Sequence, residues 1–146
     1  MAGTMFDSPP HSPEAERTVL GALLLDPDAI IKVSDFLKPE DFFDPAHRQI
    51  FDVMFQLYNS HVPIDFITVT NKLADNQAIQ AIGGSAYLAD LAAAVPTSSH
   101  IYQYGQIVKA KAVHRNIIEA GRKITGFGYE VDHPIPALLD EVEKTV

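Results

Sequence analysis

The chain has 146 residues, 47% of them apolar, so it is long enough to bury a core and apolar enough to need one. Nineteen acidic side chains against eleven basic give a formal charge of -8, which argues against a mainly electrostatic grip on nucleic acid or an anionic membrane and favours a protein partner. Cysteine is absent, which excludes disulfides, thiol nucleophiles and cysteine-ligated zinc, and apolar runs such as residues 23–25 are far too short to span a bilayer.

Residues 1–11 read as a loose polar arm punctuated by Pro9 and Pro10. They lack a basic stretch followed by an apolar core, so no secretory signal is expected and the default address is cytoplasmic. Ser12 then caps a helix whose first turn holds Pro13, Glu14 and Glu16, a proline where its missing N–H costs nothing and acids where the helix dipole favours them. Ala15, Val19, Leu20, Leu23 and Leu24 form its buried stripe. Asp26-Pro27 opens a short second helix through Val33, and residues 38–43 turn toward a third start at Asp44-Pro45. After it Ile50, Phe51, Met54, Phe55 and Tyr58 recur at helical spacing. Asp65 caps the next helix, with Phe66, Val69 and Leu73 on its inner face.

Gly83-Gly84 breaks an apolar run before a helix carrying Tyr87, Leu88 and Leu91, which closes at Val95-Pro96. From Ile101 to about Ile124 no proline interrupts, and Val113, Ile117, Ala120 and Ile124 fall at i, i+4, i+7 and i+11 on one face. A turn leads to a return helix with Ile135, Leu139, Val142 and Val146 at similar spacing. Small residues on the long helix, among them Ala112, Ala120 and Gly121, allow close approach by a partner helix. No stretch alternates as a strand would. The fold class is therefore all-α: an arm over residues 1–11, a helical globular subdomain over 12–96, and a helical hairpin over 97–146.

Candidate chemistry is sparse. The six histidines show no zinc-ligand spacing, and the Asp26-Pro27-Asp28 start of a calcium loop fails because Ile31 and Leu37 stand where glycine and glutamate are needed. His47 reads as a hydrogen-bonded, half-buried residue on the face of Ile50 and Phe51. The acid pairs Glu14 with Glu16, and Glu40 with Asp41, sit at helix starts where capping is their natural role. Gly83-Gly84 lacks the lysine of a phosphate-binding loop and reads as a turn. Lys111, Arg115 and Arg122 share one face of the long helix, with Lys109 and Lys123 near it and Ile118 between them. That stripe either complements Asp140, Glu141 and Glu143 on the return helix or touches phosphates of a single-stranded nucleic acid.

Taken in order, Glu14-Ala15-Glu16 with Val19-Leu20-Gly21, Pro39-Glu40-Asp41-Phe42-Phe43, His47, Pro63-Ile64-Asp65, Ile82-Gly83-Gly84 with Tyr87-Leu88, Val95-Pro96-Thr97 and Arg115 resemble one family. It is the N-terminal domain of the bacterial replicative DNA helicase of the DnaB type, and the likeness runs from Ser12 onward. The resemblance implies a non-catalytic domain without cofactor or metal, followed by a linker and a motor that holds ATP and magnesium and moves along DNA. It also implies self-pairing through the hairpin, with Val113, Ile117, Ala120, Gly121, Leu139 and Val142 as interface residues, and a trimer-of-dimers collar on a hexamer. The C-terminal helicase-binding domain of primase docks there, which directs attention to Glu14, Tyr87, Ile118 and Ile124, in the replisome of the cytoplasm. His100 departs from the asparagine common after Pro-Thr and leaves open how the hairpin entrance is capped.

Overall fold

The computed structural model describes residues 8–146, so the first seven residues of the expected arm lie outside the described residues. Six α-helices follow in order: α1 (Pro13–Leu25), α2 (Pro45–Asn59), α3 (Phe66–Asp75), α4 (Gly84–Ala94), α5 (Ile101–Gly128) and α6 (Ile135–Thr145). Two 3-10 segments, Pro27–Lys32 and Pro39–Asp41, join α1 to α2, and there is no strand among the described residues.

Three of the helix starts are fixed by side chains close in sequence. The Ser12 hydroxyl accepts from the Ala15 amide at 3.2 Å, and the Asp44 carboxylate from the Ala46 amide at 2.9 Å. At α3 the cap is reciprocal: Thr68 N–H donates to Asp65 at 2.8 Å while Asp65 N–H donates to the Thr68 hydroxyl at 3.0 Å. Asp65→Ala should lower stability by about 1 kcal/mol, read as a shifted urea midpoint at an unchanged denaturant slope. An unshifted midpoint would show that α3 is held by its packing alone.

The core lies in the first of two units into which the chain divides, His11–Ala112. Val19, Leu20 and Leu23 of α1 meet Ile50, Phe51 and Met54 of α2, Val69 and Leu73 of α3 and Leu88 and Leu91 of α4, all fully buried. Phe66, expected on this inner face, is 38% exposed beside Ile67, because the first turn of α3 sits at the rim of the core. The unit runs past Pro96-Thr97, where the sequence placed its end. Ile101, Gly105, Val108 and Ala112 come one per turn of α5 and are buried, whereas Pro96 and Thr97 are exposed. Gly105 is required there, since a Cβ would stand 2.9 Å from Val33 Cγ1 and 3.2 Å from Phe36 Cζ.

At the start of α4, Gly83 and Gly84 adopt φ values of +107° and +75°, a pair of left-handed residues that side chains disfavour. At the entrance to α5 the Thr97 hydroxyl accepts from the Ser99 amide at 3.2 Å, and Ser98 donates to Asp26 at 3.2 Å.

The second unit holds Val113–Val146, with residues 8–10 grouped in it. None of the residues of α6 is buried. Ala120 and Ile124 on α5 are half-buried, as are Leu138 and Val142 on α6, while Val113, Ile117, Ile118, Ile135 and Leu139 stay 39–65% exposed. The single stripe read from the sequence is thus divided, its first two members exposed and its last two half-covered. Around Gly121 a Cβ would meet nothing within 4 Å.

Candidate functional site

The most structured polar group in the chain is buried between helices. Glu16 has the spacing of an N-terminal acid serving the helix dipole, yet only 2% of it is exposed. It faces inward because it precedes Val19 and Leu20 by three and four residues and so shares their side of α1. Its carboxylate accepts three hydrogen bonds: from the Phe43 amide at 2.8 Å, the Asp44 amide at 3.3 Å and His47 Nδ1 at 2.7 Å. His47, on α2, is buried outright rather than half-buried. Its other nitrogen, Nε2, lies 2.5 Å from the hydroxyl of Tyr87 on α4, and the two rings lie nearly parallel with centroids 5.9 Å apart. One polar chain therefore ties α1, α2 and α4 together.

Burial alone would push the Glu16 carboxyl up, but the hydrogen bond from His47 and those from the Phe43 and Asp44 amides outweigh it and hold the pKa below its ordinary value of 4.5. An ionised carboxylate can only accept, so Nδ1 carries a proton, and in the neutral ring Nε2 accepts from the phenol. Burial, then the charge of Asp44, raises the Tyr87 pKa above 10.0, so its hydroxyl keeps its proton at neutral pH. The arrangement ends in a half-exposed phenol, a held donor rather than an activated nucleophile. Beside the chain is a cavity of about 240 Å³ lined by Glu16, His47, Asp44 and Phe43, where His11 stacks on Phe43 at 4.2 Å. His11 thus closes onto the globular unit instead of belonging to a loose arm.

The remaining candidates are dispersed. Glu14 is exposed and lines a groove of about 320 Å³ with Arg17, Thr18, Ala94, Val95 and Tyr104. Glu14 and Tyr87 belong to the first unit, Ile118 and Ile124 to the second. Members of the basic face of α5 find partners within their own units. Lys109 pairs with Asp41 at 3.2 Å, Arg115 donates to the Pro10 carbonyl at 2.9 Å, and Glu141 pairs with Lys144 of its own helix at 3.8 Å. A partner three residues away on one helix is reached without spanning two. Lys111 is half-buried and Arg122 exposed. Asp41 does more than cap, since it accepts from the Lys38 amide at 2.8 Å as well as holding Lys109. Among the described residues, no three His, Asp or Glu side chains are placed to hold a metal ion.

Helices locked by an internal polar chain, with an apolar hairpin left open, define an all-α domain that presents surfaces. Residues 8–110 match the family described as the DnaB-like helicase N terminal domain. The fold is similar to the crystal structure of the N-terminal domain of DnaB helicase from Mycobacterium tuberculosis, with a TM-score of 0.90, 35% identity, and coverage of 94% of this chain and 97% of that one. The replicative DNA helicase DnaB of Geobacillus stearothermophilus is 42% identical over 138 residues, which are 94% of this chain and 30% of that protein. A DnaB-like replicative helicase whose structure was determined together with its interactions with primase gives a TM-score of 0.74 at 28% identity, covering 92% of this chain and 32% of that one. The chain belongs to the family of DnaB-like helicase N-terminal domains, and it spans about a third of the length of the two helicases compared.

Proposed function

We propose that this chain is the collar domain of a replicative DNA helicase, non-catalytic itself, which pairs with a second copy through its hairpin and docks the C-terminal domain of primase. Family membership supports the helicase, and the relative studied with primase supports that partner. In this reading the ATP and magnesium chemistry and the grip on DNA belong to a motor that the collar serves in the cytoplasm, the pairs assembling three to a hexamer. The observation that carries the pairing is the hairpin's open apolar surface: Ile117 and Leu139 are 63% and 61% exposed, and a second copy can cover them.

Sedimentation over a concentration series should show a dimer that Ile117→Asp with Leu139→Asp converts to monomer at unchanged helical signal. A strictly monomeric unaltered chain at high concentration sinks the pairing. Gel filtration with the primase C-terminal domain should give a joint peak, and its absence with both partners folded sinks the docking. The nucleic-acid reading of Lys111, Arg115 and Arg122 gains no such support in a chain of charge -8, with Arg115 engaged at Pro10.

A further inference from the structure

At the end of α2 the backbone closes in a turn that glycine usually serves. The His61 amide donates to the Tyr58 carbonyl at 3.1 Å and the Val62 amide to the Leu57 carbonyl at 2.9 Å, a pairing that needs a left-handed residue just past the helix. That residue is His61, at φ 61°, a conformation that side chains disfavour. The same turn closes α3, where Gln77 has φ 58° and the Ala78 amide donates to the Leu73 carbonyl at 2.8 Å, so the conformation alone marks nothing. What sets His61 apart is that it lines a cavity.

The cavity, about 300 Å³, opens between the 3-10 segment Pro27–Lys32 and the end of α2, within the first unit. Ile30 and Ile64, each 2% exposed, supply its buried side, while Ile31 at 63%, Val62 at 38% and Tyr58 at 37% leave its mouth apolar and open. Both walls are fixed before anything binds. The Asp26 carboxylate accepts from the Asp28 amide at 3.1 Å and from the Ser98 hydroxyl at 3.2 Å, which holds the 3-10 segment, and the left-handed turn holds Tyr58 to Val62. A preformed apolar concavity takes up a side chain of another molecule with little ordering of its own.

The charges around the mouth select the occupant. Asp28 is exposed and lines it, Asp26 and Asp65 adjoin Pro27 and Ile64 in sequence, and against these three carboxylates stands Lys32 beside Ile31. In a chain of charge -8, an apolar segment carrying acids is repelled here and one carrying lysine or arginine is drawn in. We propose that this groove docks a basic segment of a partner protein, whose apolar side chains fill the cavity between flanking lysines or arginines, with His61 in the wall. The proposal rests on the cavity and its rim alone and uses neither the pairing of hairpins nor the primase partner.

The probe is a fluorescently labelled peptide with leucine, phenylalanine and leucine at its centre and two lysines on each side, titrated into the unaltered chain by anisotropy and by amide NMR spectra. Shifts should centre on residues 27–31 and 58–64. A peptide with serines at the centre should bind about tenfold more weakly, and one with glutamates for the lysines about fivefold more weakly. Ile31→Asp separates the groove from mere attraction between charges. It makes the chain more acidic, so a peptide held by charge alone binds it more tightly, whereas one seated in the groove should bind it about fivefold more weakly. His61→Gly suits the left-handed turn, so its thermal midpoint should hold or rise while binding weakens about threefold; Gln77→Gly, the same change at the matching turn, should leave binding as it was.

Unchanged or tighter binding by Ile31→Asp, equal affinity for the glutamate peptide, or shifts centred away from the groove overturns the proposal. So does normal binding by His61→Gly, since the wall it removes would then be idle. If the lysine peptide fails to bind and Ile31→Asp instead breaks up a dimer or releases the primase domain, the groove belongs to a second copy or to that domain, and the basic segment is excluded.

Discussion

Glu16→Gln is expected to cost the fold about 3 kcal/mol at neutral pH and to flatten its response to acid. Three donors converge on the carboxylate: the amides of Phe43 and Asp44, and Nδ1–H of His47. A carboxamide has one acceptor oxygen and a donating NH₂, so at least one of the three donors faces another donor inside the core. An orphaned buried donor costs about 1–3 kcal/mol, and the charge-assisted bonds lost with it add to that. The pH dependence follows from the depressed pKa of Glu16. Its stabilisation is fully present above the ordinary carboxylate value of 4.5 and is lost as pH falls through the lower value of the folded state. Urea unfolding from pH 7 to pH 3 should show the unaltered chain losing stability over that interval, and the Gln variant, already weaker, losing less. Equal stabilities at pH 7, or parallel curves for the two proteins, would sink this account of the buried chain.

What could be read from the sequence was whatever the chain decides locally. Ser12, Asp44 and Asp65 reach amides two or three residues away, so the starts of α1, α2 and α3 are written in short stretches. The paired glycines at 83 and 84 announced a turn because only that residue type adopts two positive φ values in succession at little cost. The family was legible too, because its motifs keep their order along the chain even though each is weak alone.

The site was less legible, because it depends on partners remote in sequence. Glu16 meets His47 across 31 residues, His47 meets Tyr87 across 40, and Lys109 meets Asp41 across 68. A usable signal did exist: Glu16 shares the helix face of Val19 and Leu20, and His47 that of Ile50 and Phe51, and a charged or polar side chain on an apolar face must find a partner inside. Reading both acids of the first turn as servants of the helix dipole concealed the difference between Glu14, which is exposed, and Glu16, which is not. The boundary at Pro96-Thr97 misled for a related reason. A break in helix marks a turn of the backbone, whereas a unit ends where burial ends, and on α5 burial persists to Ala112.

Gly21→Val should be among the most damaging single changes in the globular unit, and its sign separates close packing from helix propensity. Glycine inside a helix is disfavoured, so replacing it by alanine in open space stabilises by up to about 1 kcal/mol. Gly126, on α5, is such a place, with nothing within 4 Å of its missing Cβ. At Gly21 a Cβ would collide with the Leu91 carbonyl oxygen and stand 2.5 Å from Val95 Cγ2. The oxygen belongs to the backbone of α4 and has no rotamer by which to move aside, so α4 as a whole must shift from α1. Gly21→Ala is therefore expected to destabilise by about 2 kcal/mol and Gly21→Val by 3 kcal/mol or more, the scale of overpacking in a dense core. The valine variant should melt roughly 10 °C lower, and Gly126→Ala no lower than the unaltered chain. Since α4 also carries Tyr87, Gly21→Ala should loosen the His47–Tyr87 link and raise hydrogen exchange in the first turn of α4 ahead of that in α2. A Gly21→Ala protein as stable as Gly126→Ala would mean that α4 yields freely and that the seam between α1 and α4 is not what fixes it.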